Sequence, residues 1–312
     1  MSKVNIALGF DNGFCRVAAS MLSSLKTSVN ENILYDVYIL HEDISDENQN
    51  KITSIFQGAS NVNVIFTDVS VVFNSVFKKV YESRQVTRGA YYRIITPLVL
   101  KDISKVLYID PDTVILGDVS LLYLEGNNRK AISGVRDINL SNVEKNRGVY
   151  TKELKRKGFN GSLYDYMTTE LGLDDNEKVN YINSGVILFD LDIIRNGYID
   201  LLIDNATKYD YLYHDQDIIN KTFKDSKNII DESWNFPSFK FDNKMNVNIL
   251  HYYCTDKGKP WISMETNGAD LYWNAVSTTP YFFENAKSLE VNIIRKNRFS
   301  KTLKRKIKSI FK

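Results

Sequence analysis

The 312-residue sequence predicts an α/β fold built on a largely parallel sheet of the nucleotide-binding type. Short apolar runs alternate with helical patterns from the first residues onward. Hydrophobic residues make up 43% of the chain and aromatics 12%, enough for a large packed core and too many for disorder. The acidic pair Asp110 and Asp112 directly follows one apolar run, where open α/β sheets bind ligands.

The elements follow in order. Residues 4–10 (VNIALGF) suit a buried first strand. Residues 14–25 have helical spacing at Phe14, Ala18, Met21, Leu22 and Leu25. Residues 33–40 (ILYDVYIL) are β-branched and aromatic, hence a second strand. Ser45 is placed to cap a helix running to Phe56. Residues 62–66 and 105–109 read as the third and fourth strands. A further apolar run covers 182–191, followed by a helical pattern to about Tyr209 and a short helix over 217–223. Residues 247–250 read as a strand ending at His251.

Composition excludes several classes. Two cysteines, Cys15 and Cys254, rule out a disulfide-built module and a four-cysteine zinc site. No apolar run approaches the roughly 18–20 residues of a membrane span. The first residues lack a secretory signal pattern, so a cytoplasmic protein is expected. G-x-G-x-x-G and G-x-x-x-x-G-K-[ST] are missing, and so are H-E-x-x-H and G-x-S-x-G. The net charge of +2 hides an asymmetry. Residues 295–312 hold nine basic side chains and no acidic one, leaving 31 basic against 38 acidic residues in the rest. The protein is an acidic body with a basic tail.

Residues i and i+2 of an extended segment face the same way, so Asp110 and Asp112 project together from a strand end. Pro111 fixes φ between them. Two such carboxylates repel unless a cation lies between them, and hard oxygen ligands suit Mg²⁺ or Mn²⁺, which can neutralise a diphosphate. Two other readings fit the pair. One is a plain acidic loop. The other is the aspartyl-phosphate motif of haloacid-dehalogenase-like phosphatases, which Asp110-Pro111-Asp112-Thr113-Val114 approaches. That motif belongs on a first strand, whereas here more than a hundred residues precede it. His251, one of three histidines, is able to complete a two-Asp metal site, a mixture that leans towards Mn²⁺. Lys257 and Lys259 flank Gly258 nearby, and ammonium groups suit a diphosphate. His41 reads as structural.

Other segments complete a pattern. Ala7-Leu8-Gly9-Phe10-Asp11-Asn12-Gly13-Phe14 closes the first strand. Ala90-Tyr91-Tyr92-Arg93, Gly134-Val135-Arg136-Asp137, Asn183-Ser184-Gly185-Val186 and His214-Asp215-Gln216-Asp217-Ile218-Ile219-Asn220 follow, then His251 and Lys259-Pro260-Trp261. In this order, over 4–283, the chain resembles glycosyltransferase family 8, the retaining UDP-sugar-dependent group. Within it, the chain looks like the bacterial lipopolysaccharide galactosyl- and glucosyltransferases.

The resemblance implies a GT-A type, Rossmann-like α/β fold with a single mixed, mostly parallel central sheet. It implies a catalytic domain over 1–290, a basic appendix over 291–312, and acceptor-side loops in the charged, irregular stretch 138–180. Asp110, Asp112 and His251 would hold Mn²⁺ (or Mg²⁺) against the UDP phosphates, with Lys259 (or Lys257) on the same phosphates. Ala7, Asp11, Asn12 and Phe14 would meet the uridine, and Phe14 would stack on the base. Arg93, Asp137, Asn183, Ser184, Asp215 and Gln216 would hold the donor sugar, with Arg93, Asp137, Asp215 and Gln216 nearest the chemistry. An amide is a poor nucleophile, so Gln216 favours same-face attack with retention. The chain departs from the family in its first loop, where Phe10 takes a polar place and Gly13 precedes Phe14. Asp215 also suits a helix N-cap. Trp261, Tyr272 and Trp273 suit packing.

In the tail, Phe299, Leu303, Ile307, Ile310 and Phe311 recur at helical spacing among lysines, as in an amphipathic helix on an anionic lipid surface. The expected protein is thus a hexosyltransferase using UDP-galactose or UDP-glucose, with an oligosaccharide or glycolipid acceptor and no nucleic acid. It would work at the inner face of the cytoplasmic membrane. The alternatives are a phosphatase using Asp110 and a non-catalytic sugar-binding protein.

Overall fold

The computed structural model describes residues 2–77, 87–126, 129–208, 211–253 and 258–295. Lys257 and the tail 296–312 lie outside the described residues. The strands are β1 (Ser2–Gly9), β2 (Ile33–His41), β3 (Val62–Asp68), β4 (Lys105–Ile109), β5 (Thr113–Ile115), β6 (Ile132–Arg136), β7 (Ile182–Asp190), β8 (Lys227–Ile229), β9 (Phe236–Pro237) and β10 (Ile249–His251). Seven of them form the central sheet in the order β3-β2-β1-β4-β7-β6-β8. Within it, β1, β2, β3 and β4 run parallel, as do β6 and β8. Strand β7 is antiparallel to both β4 and β6. The carboxyl ends of the other six strands therefore share one edge with the start of β7. Residues 11, 110, 137 and 183 all fall at that edge.

The central strands are buried on both faces, which explains their continuous apolar sequence. Alternation along β1 sends Val4, Ile6 and Leu8 into one core cluster and Ala7 into the other. Helix Cys15–Ser28 covers the first face with Val17, Met21, Leu22 and Leu25. Helix Tyr92–Val99 covers the second with Ile94 and Ile95. Ser45 caps helix Asp46–Ile55 as expected, accepting from the backbone N–H of Asn48. No helix among the described residues is long and apolar enough to cross a membrane.

The structure corrects several local expectations. A three-stranded sheet, β5-β10-β9, stands beside the main one and was not foreseen. The helical pattern after β7 is two helices, Leu191–Gly197 and Ile199–Lys208. The short helix expected over 217–223 starts earlier and spans His214–Thr222. The stretch 138–180 is not irregular. It folds into the helices Val143–Arg147, Lys152–Arg156, Leu163–Thr169 and Asp175–Val179. Helices of one to two turns display too little of a 3.6-residue period to be read. Local caps hold them instead, with Ser162/Asp165 and Asp174/Glu177 forming reciprocal boxes.

Candidate active site

The chain turns sharply after β4. Asp110 N donates to Gly185 O at 2.7 Å, and Thr113 Oγ1 donates to Asp110 O at 2.9 Å. This turn delivers the chain into β5, which pairs antiparallel with β10 so that Thr113 lies opposite His251. The small second sheet thus carries the histidine to the acidic pair across 139 residues. His251 Nε2 lies 3.2 Å from Asp112 Oδ1 and 3.8 Å from Asp110 Oδ2. One ligand atom from each residue lies within 4.8 Å of the others. Adjacent ligands on an octahedron with bonds near 2.1 Å are about 3 Å apart, so two oxygens and one nitrogen at these spacings fit Mn²⁺ or Mg²⁺.

Second-layer contacts hold this triad. His251 Nδ1 lies 2.8 Å from Asn235 Oδ1, and Asn235 Nδ2 donates to Asn183 Oδ1 at 2.9 Å. Asn183 Nδ2 in turn donates to Asp137 Oδ2 at 3.1 Å. Sequence reasoning missed Asn235. Its signal was an amide set between Trp234 and Phe236, a polar group that a buried site must satisfy. Gly185 has a steric reason: a Cβ there would lie 2.1 Å from His251 Cε1.

Arg93 is buried, 4% exposed, and faces inward from helix Tyr92–Val99. Its Nη2 donates to Asp110 Oδ1 at 2.5 Å, and its Nε lies 3.1 Å from Asp215 Oδ2. It also donates to Ala90 O and Ser184 O and stacks over Tyr108. The guanidinium therefore braces two carboxylates, and its N–H groups are committed to protein oxygens. Burial pushes the Asp110 carboxyl up to about 6; the charges of Asp112 and Asp215 add to this, and Arg93 opposes it. Asp112 is held below its ordinary value: burial works upward, but His251 and then Lys259 outweigh it. Lys259 is half-buried, its ammonium 5.7 Å from the Trp261 ring centre.

Asp137 follows β6 and receives four N–H groups. Asn139 N and Leu140 N donate to Oδ1, and Asn183 Nδ2 and Gln216 Nε2 to Oδ2. Ser184 N donates to Gln216 Oε1 at 3.0 Å, and Ser184 Oγ to Asp215 Oδ2 at 2.9 Å. The structure thus brings Arg93, Asp110, Asp137, Asn183, Ser184, Asp215, Gln216 and His251 into one network. Asp215 is not an N-cap: it lies in the first turn, and the cap position is Tyr213, without a side-chain bond. His214 takes φ of +51°, a left-handed kink that turns the chain into the helix. Asn220 docks that helix on β7, accepting from Ile182 N and donating to Ile182 O, both at 2.8 Å.

Asp217 anchors the same helix from beneath. It is fully buried and accepts from Tyr181 OH, Tyr166 OH and Tyr213 N. Burial raises its carboxyl from 3.8 to about 6 despite these donors. An acid with a raised native value binds its proton more tightly when folded. Its contribution to stability is full below about pH 4 and is lost as the pH rises through about 6. Asp217→Asn lacks this contribution. Its stability relative to the parent should therefore improve by about 3 kcal/mol between pH 4 and pH 7, by urea unfolding. A difference that does not change with pH refutes the assignment.

The first-strand loop is more self-contained than expected. Asp11 Oδ1 accepts from Phe14 N, and Asn12 Oδ1 accepts from Ser45 N and Asn48 Nδ2. Ala7 is buried within β1, and Phe10 is a core residue, which accounts for the apolar side chain at a polar place. Phe14 packs edge-on to Trp261, with ring centres 6.1 Å apart. Beside the loop is a cleft of about 390 Å³ lined by Asp11, Glu42, Asp43, Thr87, Arg88 and Tyr92. Arg88 and Glu42 form a two-point ion pair there at 2.7 and 2.8 Å. Sequence reasoning missed Glu42, Asp43 and Arg88, because charged side chains in loops and in the single 3-10 turn Arg88–Tyr91 carry no periodic signal. A second cleft of about 400 Å³ opens at the ends of β6 and β8, lined in part by Val135, Arg136, Ser141, Glu232, Asn235 and Tyr253.

The chain is similar to known proteins in sequence and fold. The family profile described as Glycosyl transferase family 8 matches residues 5–265. General stress protein A of Bacillus subtilis (strain 168) is 23% identical over 283 residues, covering 87% of each chain. Among solved structures, the WbbM bifunctional glycosyltransferase in its apo form matches with a TM-score of 0.79 and 20% identity. That match covers 92% of this chain and 52% of WbbM, so this chain spans about half of that protein. The galactosyltransferase LgtC in complex with donor and acceptor sugar analogs matches with a TM-score of 0.68 and 19% identity, over 89% of this chain and 96% of LgtC. The glycosyltransferase GlyE of Streptococcus pneumoniae TIGR4 gives 0.61 and 19%, over 95% and 64%. The shared architecture is the GT-A fold.

Proposed function

This chain belongs to glycosyltransferase family 8, and from that membership we propose that it moves glucose or galactose from a UDP-sugar to a saccharide or glycolipid, retaining the α configuration. The observation that carries the reading is the convergence of Asp110, Asp112 and His251 at the sheet edge, where Asn235 joins His251 to the cleft at β6 and β8. Family membership sets aside the phosphatase alternative.

The edge supports a linear arrangement. The cleft beside Asp11, Glu42 and Arg88 takes the nucleoside. Asp110, Asp112 and His251 would hold Mn²⁺ (or Mg²⁺), which when bound offsets charge on the leaving diphosphate as a Lewis acid. Lys259 adds a point charge to the same phosphates. Asp137, Asn183 and Gln216 offer carboxylate and amide groups to the sugar hydroxyls. The cleft at β6 and β8 takes the acceptor.

Arg93 acts one layer behind the donor, keeping Asp110 and Asp215 at fixed orientation. The Gln216 amide is engaged at both ends, and Asp215 is tied to Arg93 and Ser184. Carboxylates held in this way are poor nucleophiles. That favours attack from the face the diphosphate leaves, with favourable charge kept around an oxocarbenium-like centre.

The basic tail supports a proposed workplace at a membrane surface. Helix 282–295 exposes Phe283, Ile293 and Ile294 and leads towards the basic residues 296–312. Together they suit peripheral attachment to the anionic inner face of the cytoplasmic membrane, where surface polysaccharide or lipopolysaccharide precursors are built.

The test is a panel of UDP-sugars with Mn²⁺, reading UDP release with and without saccharide acceptors. Release from one hexose donor, stopped by a chelator, is expected. Tight UDP binding with no turnover of any donor would instead support the non-catalytic sugar-binding alternative.

A further inference from the structure

We infer that Asn235 is a positioning residue that holds the neutral His251 imidazole with its proton on Nδ1 and its lone pair on Nε2. The direction of each hydrogen bond can be worked out from the far end. The backbone N–H of Gly185 can only donate, and it meets Asn183 Oδ1 at 3.0 Å. The opposite end of that amide faces Asp137 Oδ2 at 3.1 Å, and a carboxylate oxygen accepts rather than donates. Both neighbours therefore impose the same orientation on Asn183. Its oxygen faces Asn235, so Asn235 must present its NH₂ there, at 2.9 Å. Asn235 is left with its oxygen towards His251 Nδ1, at 2.8 Å. An amide oxygen has no proton to give, so Nδ1 carries one.

A competing force acts at the other nitrogen. Asp112 Oδ1 and Asp110 Oδ2 face Nε2 and draw a proton towards themselves. A neutral imidazole has one proton to place. Putting it on Nε2 would set the Nδ1 lone pair against the Asn235 oxygen. Asn183, Asn235 and His251 are each at least 93% buried, so water is poorly placed to relieve that clash. The relay therefore wins, and Nε2 is left as a ligand. Sugar-side Asn183 and metal-side His251 become one unit, and a donor contact that shifts Asn183 is felt at the metal position. This consequence rests on the metal reading above; the tautomer assignment does not.

The test uses the full chain labelled with ¹⁵N-histidine, stripped of metal, at a pH where the imidazole is neutral. With three histidines in the sequence, each ring is assignable. Long-range ¹⁵N–¹H correlations report the tautomer, and Mn²⁺ titration without any sugar nucleotide reports affinity. The parent should show Nδ1–H at His251. Asn235→Leu should move the proton to Nε2 and weaken Mn²⁺ binding roughly 10–100-fold. Asn183→Leu frees the Asn235 amide to turn and should give a mixture of tautomers. Asn235→Asp still accepts from Nδ1–H and should keep the parent tautomer, at a cost in stability because its second oxygen meets Asn183 Oδ1. If Asn235→Leu does not fold, the other two variants decide. Nε2–H in the parent, or Nδ1–H with unchanged Mn²⁺ affinity in Asn235→Leu, overturns the inference. A parent with Nδ1–H that fails to bind Mn²⁺ sinks the metal reading and leaves the tautomer assignment standing.

Discussion

Under the proposed metal-dependent transfer from a UDP-sugar, Asp110→Asn is expected to lower UDP release on the order of a thousandfold while leaving the fold intact. Asp110 is one of two carboxylates facing His251 Nε2, the pair proposed to hold the metal, and it is the one paired with Arg93. An amide at this place is a weaker, neutral ligand, so affinity for the divalent ion falls. The electrostatic stabilisation of the leaving diphosphate falls with it. The fold survives for a separate reason. Burial already disfavours the Asp110 charge, raising its carboxyl to about 6, so neutralising it removes a penalty along with an ion pair. Arg93 keeps Asp215 as a partner. The measurements are UDP release at saturating Mn²⁺ and thermal unfolding. Parent-level activity in this variant would exclude Asp110 from the metal centre, whereas a collapsed fold would show that its role is structural.

Arg93→Met is the most destabilising single change expected. The guanidinium is buried and lies between Asp110 and Asp215, both of which it touches. Removing it leaves two carboxylates near one another with no counterion. Breaking a buried ion pair from one side costs about 3–5 kcal/mol. In a chain of 312 residues that corresponds to a fall in Tm of roughly 5–8 °C. The loss should shrink from pH 8 to pH 5, because protonation then neutralises the abandoned Asp110 carboxyl, which burial already raises to about 6. Arg93→Lys should fall between, since one ammonium keeps the charge but lacks the planar fork that spans both partners. A Tm within about 2 °C of the parent at pH 8 would mean the brace carries little stability.

Much of the framework was legible along the chain, for a physical reason. Strands β1, β2, β4 and β7 are buried over most of their length, so they appear as largely apolar runs interrupted by Asn5, Asp36, Asn183 and Ser184. Asp110 and Asp112 are near neighbours, and their common direction is a local property. The helices between Val143 and Val179 were hidden because one or two turns leave no measurable period. Asn235 was hidden because its importance depends on two partners, Asn183 and His251, that stand 52 and 16 residues away. Arg93 was expected at the donor, and the structure shows it buried between Asp110 and Asp215. Nothing within the helix around it reveals that Asp110 and Asp215 both lie beside it.

The amino-acid sequence by itself therefore determined the sheet-forming segments, the acidic pair, the family and the charge division between body and tail. Those depend on composition and on neighbours a few residues apart. Only the tertiary structure decided which distant groups meet. The antiparallel pairing of β5 with β10 put His251 against Asp112, and the reversed strand β7 put Asn183 and Gly185 beside it. Contacts of that kind depend on strand register and chain crossing, which are settled by packing the whole core at once rather than by any one segment.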